Sequence, residues 1–131
     1  LVVFTGGEPL LQLDEATCDV VAAALPRGGV PPRLAIETNG TVAMPPALRQ
    51  RLWVCVSPKV APEHIAQREG DELKVVFPGY DPERYRAALG AFDHYFIQPE
   101  YGTGAAQVVE YVKLHPWWRL SLQMHKLIGI P

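Results

Sequence analysis

The sequence is poor in cysteine: Cys18 and Cys55 are its only two in 131 residues, and neither stands in a CxxC or His-Cys spacing. That excludes a disulfide framework and a self-contained zinc site, and leaves both as buried thiols. No apolar stretch reaches the roughly 20 residues of a membrane helix, and no basic-then-apolar leader opens the chain, so it reads as cytoplasmic with no membrane partner. Runs of like charge are absent too. A formal charge of -2, with 20% of residues charged and scattered, gives no footprint for nucleic acid. The partner left by these exclusions is a small molecule.

What is present is apolar and comes in short runs. With 48% hydrophobic residues the chain can bury one modest core, hence one domain or part of one. Residues 1–5 form a continuous apolar run, the pattern of a strand covered on both faces. Asp14 follows as an N-cap for a helix with Val20, Val21, Ala24 and Leu25 inward. Further strands are predicted over 33–37, 52–56, 73–77, 94–98 and 118–122. Helices are predicted after Asp81-Pro82-Glu83, with Tyr85, Ala88 and Leu89 inward, and around Ala105, Val108, Val109 and Val112. Strands alternating with crossovers make an α/β fold with a mostly parallel sheet, doubly wound or curled into a barrel. In both, ligands gather at the C-terminal ends of the strands. That selects residues 5–9, 37–41, 57–59, 98–100 and 123–126.

These tips are polar in a chain whose strands are not. Gly6 and Gly7 expose main chain to a ligand, Glu8 adds a carboxylate beside that edge, and Pro9 stops the strand; a tight turn with a solvated acid has the same letters. Glu37 precedes Thr38-Asn39-Gly40-Thr41. The Asn-Gly pair fits a turn, whereas a carboxylate at a parallel strand tip can accept two N–H bonds from a guanidine-like edge. Ser57-Pro58-Lys59 joins a hydroxyl to an ammonium, suited to a carboxylate, although Ser-Pro by itself is usually only a turn. Lys74 alternates with Leu73 and Val75, and its role stays open. Gln98 closes the fifth strand, and His125 has no Asp neighbour to fix its tautomer. Trp117 and Trp118, with only Arg119 as a basic neighbour, read as core or interface.

GGEP resembles the motif of radical S-adenosylmethionine enzymes. FTGGEPLLQ, ETNGT, SPK, DELKVV, YFIQPE and SLQMHKLIGIP, in that order, are similar to the 7-carboxy-7-deazaguanine synthase family over nearly the whole chain. The resemblance implies an incomplete (β/α) barrel whose first part is missing, with 1–131 as the C-terminal part of a single domain; a start at Leu1, inside a strand, fits that expectation. It implies a carbon-nitrogen lyase in which a 4Fe-4S cluster cleaves S-adenosylmethionine to a radical that abstracts hydrogen from 6-carboxy-5,6,7,8-tetrahydropterin. Ring contraction with loss of ammonia then gives 7-carboxy-7-deazaguanine, in queuosine and deazapurine biosynthesis, assisted by Mg2+.

It also implies cofactor contacts at Gly6, Gly7, Glu8, Ser57, Lys59 and Gln98, and substrate contacts at Thr5, Glu37, His125 and the carboxylate of Pro131. A homodimer and an electron-donor protein such as a flavodoxin are implied as partners. No catalytic or metal-ligating residue is assigned in this chain, because the family's three-cysteine motif and Mg2+ contacts precede the GGEP strand; the chain alone is expected to be inactive. Met124 stands where relatives are expected to carry Thr. Two alternatives share part of the pattern. One is another radical enzyme, such as a glycyl-radical activating enzyme, which has no reason for HKLIGIP; the other is a noncatalytic nucleoside-binding α/β module.

Overall fold

Short apolar runs separated by helix-length segments produce a single sheet in the computed structural model, which describes residues 1–26 and 28–130 and, at Ala91, the backbone. Six strands lie side by side in chain order, each parallel to the next: β1 Val2–Phe4, β2 Leu34–Thr38, β3 Trp53–Val56, β4 Glu69–Phe77, β5 Ala91–Pro99 and β6 Trp118–Leu120. Helices α1 Glu15–Ala24, α2 Pro46–Arg49, α3 Pro82–Leu89 and α4 Ala106–Leu114 occupy crossovers, and α5 Met124–Leu127 follows β6. β1 and β6 lie at opposite edges of the sheet, so it is unclosed, as in an incomplete (β/α) barrel. No helix among the described residues is long and apolar enough to cross a membrane.

In a parallel ladder, residues in register point to the same face. Ile36 is level with Val54, Val56 with Leu73, Val75 with Ile97, and Ile97 with Leu120. These side chains meet Cys18 of α1, Leu48 of α2, Tyr85 and Leu89 of α3 and Val108 of α4 in the core. The other parity carries Val3, Ala35, Glu37, Cys55, Glu72, Lys74, Phe96 and Gln98. This second face is polar at its centre, with Val3 and Trp53 exposed toward one edge.

Several expectations shift. On α1 the inward residues are Cys18 and Val21, while Val20 and Leu25 are 66% and 52% exposed and Ala24 is exposed as well. The helix packs beside edge strand β1, so only a narrow stripe of it has sheet beneath. Ala88 of α3 is also exposed, because Tyr85 and Leu89, four residues apart, already form the buried stripe. Strands β4 and β5 begin earlier than predicted, and β4 does so through acidic residues that have partners. Asp71 accepts from Val54 N at 2.6 Å and pairs with Arg49 at 3.1 Å, and Glu72 accepts from the Trp53 indole at 2.6 Å. β6 ends at Leu120, and the predicted tail contains α5. Asp14 and Asp81 cap α1 and α3 as expected, accepting from Thr17 N and Glu83 N at 2.8 and 3.0 Å.

The two adjacent tryptophans share one acceptor: Glu83 Oε1 accepts from Trp117 Nε1 at 3.0 Å and from Trp118 Nε1 at 2.7 Å. Burial pushes this carboxyl upward, but the two indole donors and the Arg86 guanidinium outweigh it and hold it below the usual carboxylate range. Trp118 is thereby fixed in the core and Trp117 remains at its margin.

The turn after β2 depends on Gly40. Its φ of +81° is left-handed, and a Cβ there would lie 2.9 Å from Val56 Cγ1 and 3.1 Å from Ile65 Cγ2. Gly40→Ala is expected to lower the unfolding free energy by about 2 kcal/mol, combining backbone strain with overpacking. Urea unfolding measures this, and an unchanged midpoint would mean that the turn relaxes freely.

Candidate functional site

The strand tips are joined by side-chain hydrogen bonds that begin at GGEP. Gly6 and Gly7 have φ of 88° and 50°, both left-handed, and a Cβ on either would meet nothing within 4 Å. Glycine is therefore required by the path of the chain, and the edge it leaves is open to close approach by a ligand. A groove of about 920 Å³ runs beside this edge, lined by Thr5 to Pro9 together with Gln12 and Thr17. A cavity of about 580 Å³ at the other end of the strands, near Val2, Leu25 and Arg33, has none of the selected tips in its lining.

Glu8 turns back into the protein. Its Oε1 accepts from Leu10 N at 3.1 Å and from the Thr38 hydroxyl at 2.7 Å, and its Oε2 accepts from Asn39 N at 2.9 Å. Thr38 Oγ1 in turn accepts from Gly40 N at 3.0 Å. With these bonds the carboxylate clasps the tip of β1 to the tip of β2, and what the GGEP loop presents outward is main chain. The acid is therefore not solvated as a plain tight turn would leave it; it stands beside the glycine edge, held by protein donors. Thr38, 1% exposed, is the residue missed. It lies inside the turn motif Thr38-Asn39-Gly40-Thr41, which by itself accounts for a threonine at that position.

The centre of the open face holds an ion pair. Lys74 Nζ lies 2.7 Å from Glu37 Oε1, with the Lys74 side chain 14% and the Glu37 side chain 36% exposed. The pair spans β3, and Cys55, in register with both Glu37 and Glu72, lies between them. Burial first, then the acidic neighbours, push the Cys55 thiol up to about 12 against the opposing pull of Lys74, which leaves it protonated at neutral pH. A cavity of about 400 Å³ lies over this face, its lining including Val3, Glu37, Trp53, Cys55, Glu72 and Lys74.

One pleat further along β3, buried Ser57 continues the pairing through its N–H to Thr38 O at 2.8 Å, and its hydroxyl lies 3.2 Å from Lys59 Nζ. Desolvation pulls the Lys59 ammonium below its ordinary range, partly offset by Glu37. Tyr80 and Tyr85 donate to the carbonyls of Lys59 and Val60 at 3.1 and 2.7 Å and so fix this loop. Gln98, level with Val76, lies one pleat beyond Lys74 on the open face.

Thr5 lies two residues past Val3, whose partner is Ala35, which puts it beside Glu37 at the same end. Glu37, Lys74, Ser57, Lys59 and the Glu8–Thr38 clasp form one neighbourhood. His125 is separate: it sits exposed on α5 beyond the far edge strand, and the contact it makes is through its carbonyl, which accepts from Ile130 N at 2.9 Å. Pro131 lies outside the described residues.

The donor set can be tested against the cofactors. An open Gly6-Gly7 main-chain edge and a hydroxyl–ammonium pair at the same sheet end suit an amino acid's ammonium and carboxylate, so the S-adenosylmethionine reading fits. The cluster and Mg2+ do not fit here. No group of three His, Cys, Asp or Glu among the described residues could hold a metal, and Cys18 and Cys55 are buried on separate elements.

Comparison with known proteins shows which proteins the chain is similar to. The chain is 51% identical to the 7-carboxy-7-deazaguanine synthase of Bordetella pertussis over 134 aligned residues, covering 99% of the chain and 59% of that relative. Against the synthase of Caulobacter vibrioides it is 45% identical, over 100% of the chain and 60% of the relative. Against that of Bacteroides thetaiotaomicron it is 40% identical, over 98% and 64%. The chain is homologous to the 7-carboxy-7-deazaguanine synthases.

It spans about 60% of the length of these synthases. No protein-family model matches it.

Proposed function

We propose that the chain is the part of a 7-carboxy-7-deazaguanine synthase that binds the methionine end of S-adenosylmethionine and the pterin ring of the substrate. The reaction of the whole enzyme would convert 6-carboxy-5,6,7,8-tetrahydropterin to 7-carboxy-7-deazaguanine with loss of ammonia. The observation that carries this reading is the homology along the full chain, coinciding with polar strand tips gathered at one end of one sheet face.

Each residue then has a task. Main-chain groups of Gly6 and Gly7 hold the cofactor's ammonium end, and Glu8 keeps that edge in place through Thr38 and Asn39. Ser57 and Lys59 take its carboxylate, and Gln98 approaches its adenosine. Bound there, S-adenosylmethionine supplies hydrogen-abstracting power. Glu37 accepts the paired N–H groups of the substrate ring, Thr5 flanks it, and His125 and the Pro131 carboxylate complete its surroundings when the far edge of the sheet is brought near. Burial of Lys74 and Ser57 marks a site that can exclude water once filled. The cluster and Mg2+ are assigned to segments outside this chain, as are contacts to a flavodoxin-like electron donor; pairing of two copies as a homodimer is part of the same reading.

The test is anaerobic reconstitution of the full-length protein. Carboxytetrahydropterin should be consumed and carboxydeazaguanine formed, with turnover absent from the 131-residue chain alone. Abundant 5'-deoxyadenosine without the deazaguanine product would reject the substrate and keep the cofactor. Absence of both would leave a noncatalytic binding module.

A further inference from the structure

The Glu37–Lys74 pair does more than neutralise charge. Its two groups are of opposite hydrogen-bonding kind, side by side at 2.7 Å, on the floor of a cavity of about 400 Å³ that is large enough for a bicyclic ring. Lys74 Nζ has three donors and uses one on Glu37 Oε1; Glu37 Oε2 has no protein donor among the described residues. Across this pair a ligand meets acceptor, acceptor, donor in a row. The complementary edge is donor, donor, acceptor: an amino group, a ring N–H and a carbonyl oxygen, which is the 2-amino-4-oxo edge of a pterin or guanine.

We infer that Lys74 is a specificity-determining residue, reading the 4-oxo group while Glu37 takes the adjacent N–H pair. This rests on the pterin reading above and adds a discrimination to it. A 2,4-diamino ring presents a donor where the carbonyl was, aimed at an ammonium that has only donors, and a bare ring nitrogen in place of the N–H that faces Glu37, so it forfeits two hydrogen bonds and leaves Lys74 without its second partner. Cys55 is what lets the pair form. Strands β2 and β4 lie two spacings apart, about 9.6 Å, and Glu37 and Lys74 close that distance above the small side chain of β3. The buried, protonated thiol offers the ligand no competing charge.

The experiment compares two stable, unreduced probes, 2-amino-4-oxopteridine-6-carboxylate and 2,4-diaminopteridine-6-carboxylate. They are titrated calorimetrically into the full-length protein, with quenching of Trp53, which lines the same cavity, as an optical readout. The 4-oxo probe should bind about a hundredfold more tightly, the worth of two hydrogen bonds to charged groups. Lys74→Met should cut that preference by about tenfold, leaving the part that Glu37 reads at the ring N–H, whereas Lys74→Arg, which keeps the donors, should retain most of it; thermal melting shows whether each variant is folded. Equal affinity of the unsubstituted protein for the two probes overturns the inference without any variant. A 4-oxo preference that persists undiminished in folded Lys74→Met overturns it too, while sparing the pterin site. If neither probe binds, the pterin reading fails and this inference with it.

Discussion

Glu8→Ala is expected to lower the unfolding free energy by about 3 kcal/mol and to weaken S-adenosylmethionine binding by tenfold or more. The carboxylate collects three donors, Leu10 N, Thr38 Oγ1 and Asn39 N. Hydrogen bonds to a charged group contribute about 1.5–3 kcal/mol each, and a buried donor left without a partner costs about 1–3 kcal/mol. Thr38 would be such a donor, since its hydroxyl is almost wholly enclosed. Part of the loss is recoverable because Leu10 N and Asn39 N can admit water, which is why the expected sum stays near 3 rather than near 6. Ligand affinity falls as well because the clasp fixes the Gly6-Gly7 edge, and that edge has no other side-chain tether among the described residues. Urea unfolding and calorimetric titration report the two effects separately. Stability equal to the unsubstituted chain, together with lost ligand binding, would instead make Glu8 a direct ligand.

Glu37→Ala should have the opposite signature. The pteridine carboxylate probe should bind about a hundredfold more weakly, the loss of two charge-assisted hydrogen bonds. The affinity for S-adenosylmethionine should change by less than about threefold, because Ser57, Lys59 and the Gly6-Gly7 edge remain. Lys74 would lose its partner while only 14% of its side chain is exposed, so the variant should also melt at a lower temperature. A double variant, Glu37→Ala with Lys74→Met, removes the orphaned charge and should regain much of that stability without regaining the ring. An equal loss of both ligands from Glu37→Ala would refute its assignment to the ring.

The positions of the strands were legible because each core run is short, apolar and followed by a turn residue. The early halves of β4 and β5 were not. Asp71 and Glu72 look like loop residues until Arg49, the Val54 amide and the Trp53 indole are in place to receive them, and those partners come from a strand and helix more than a dozen residues earlier. The inward face of α1 was misread for a related reason. Val20 and Leu25 are as apolar as any core residue, and only the position of β1 at the sheet edge decides that they lie outside.

At the site, Glu37, Ser57 and Lys59 could be chosen by one rule, that parallel strands offer ligands their C-terminal ends. The rule could not reveal that Glu8 faces Thr38, 30 residues away, or that Lys74 faces Glu37. A pairing across two strands depends on register, and register emerges only when all the strands are assembled.

The order of the strands carries a consequence for how the molecule is made. Because position in the sheet repeats position in the chain, every strand finds its partner in the segment synthesised just before it. None must wait for a later piece to be threaded between earlier ones. Assembly can then proceed in one direction, from β1 toward β6, at the pace of the ribosome. On that schedule the Glu8–Thr38 clasp closes before β5 and β6 add to the sheet.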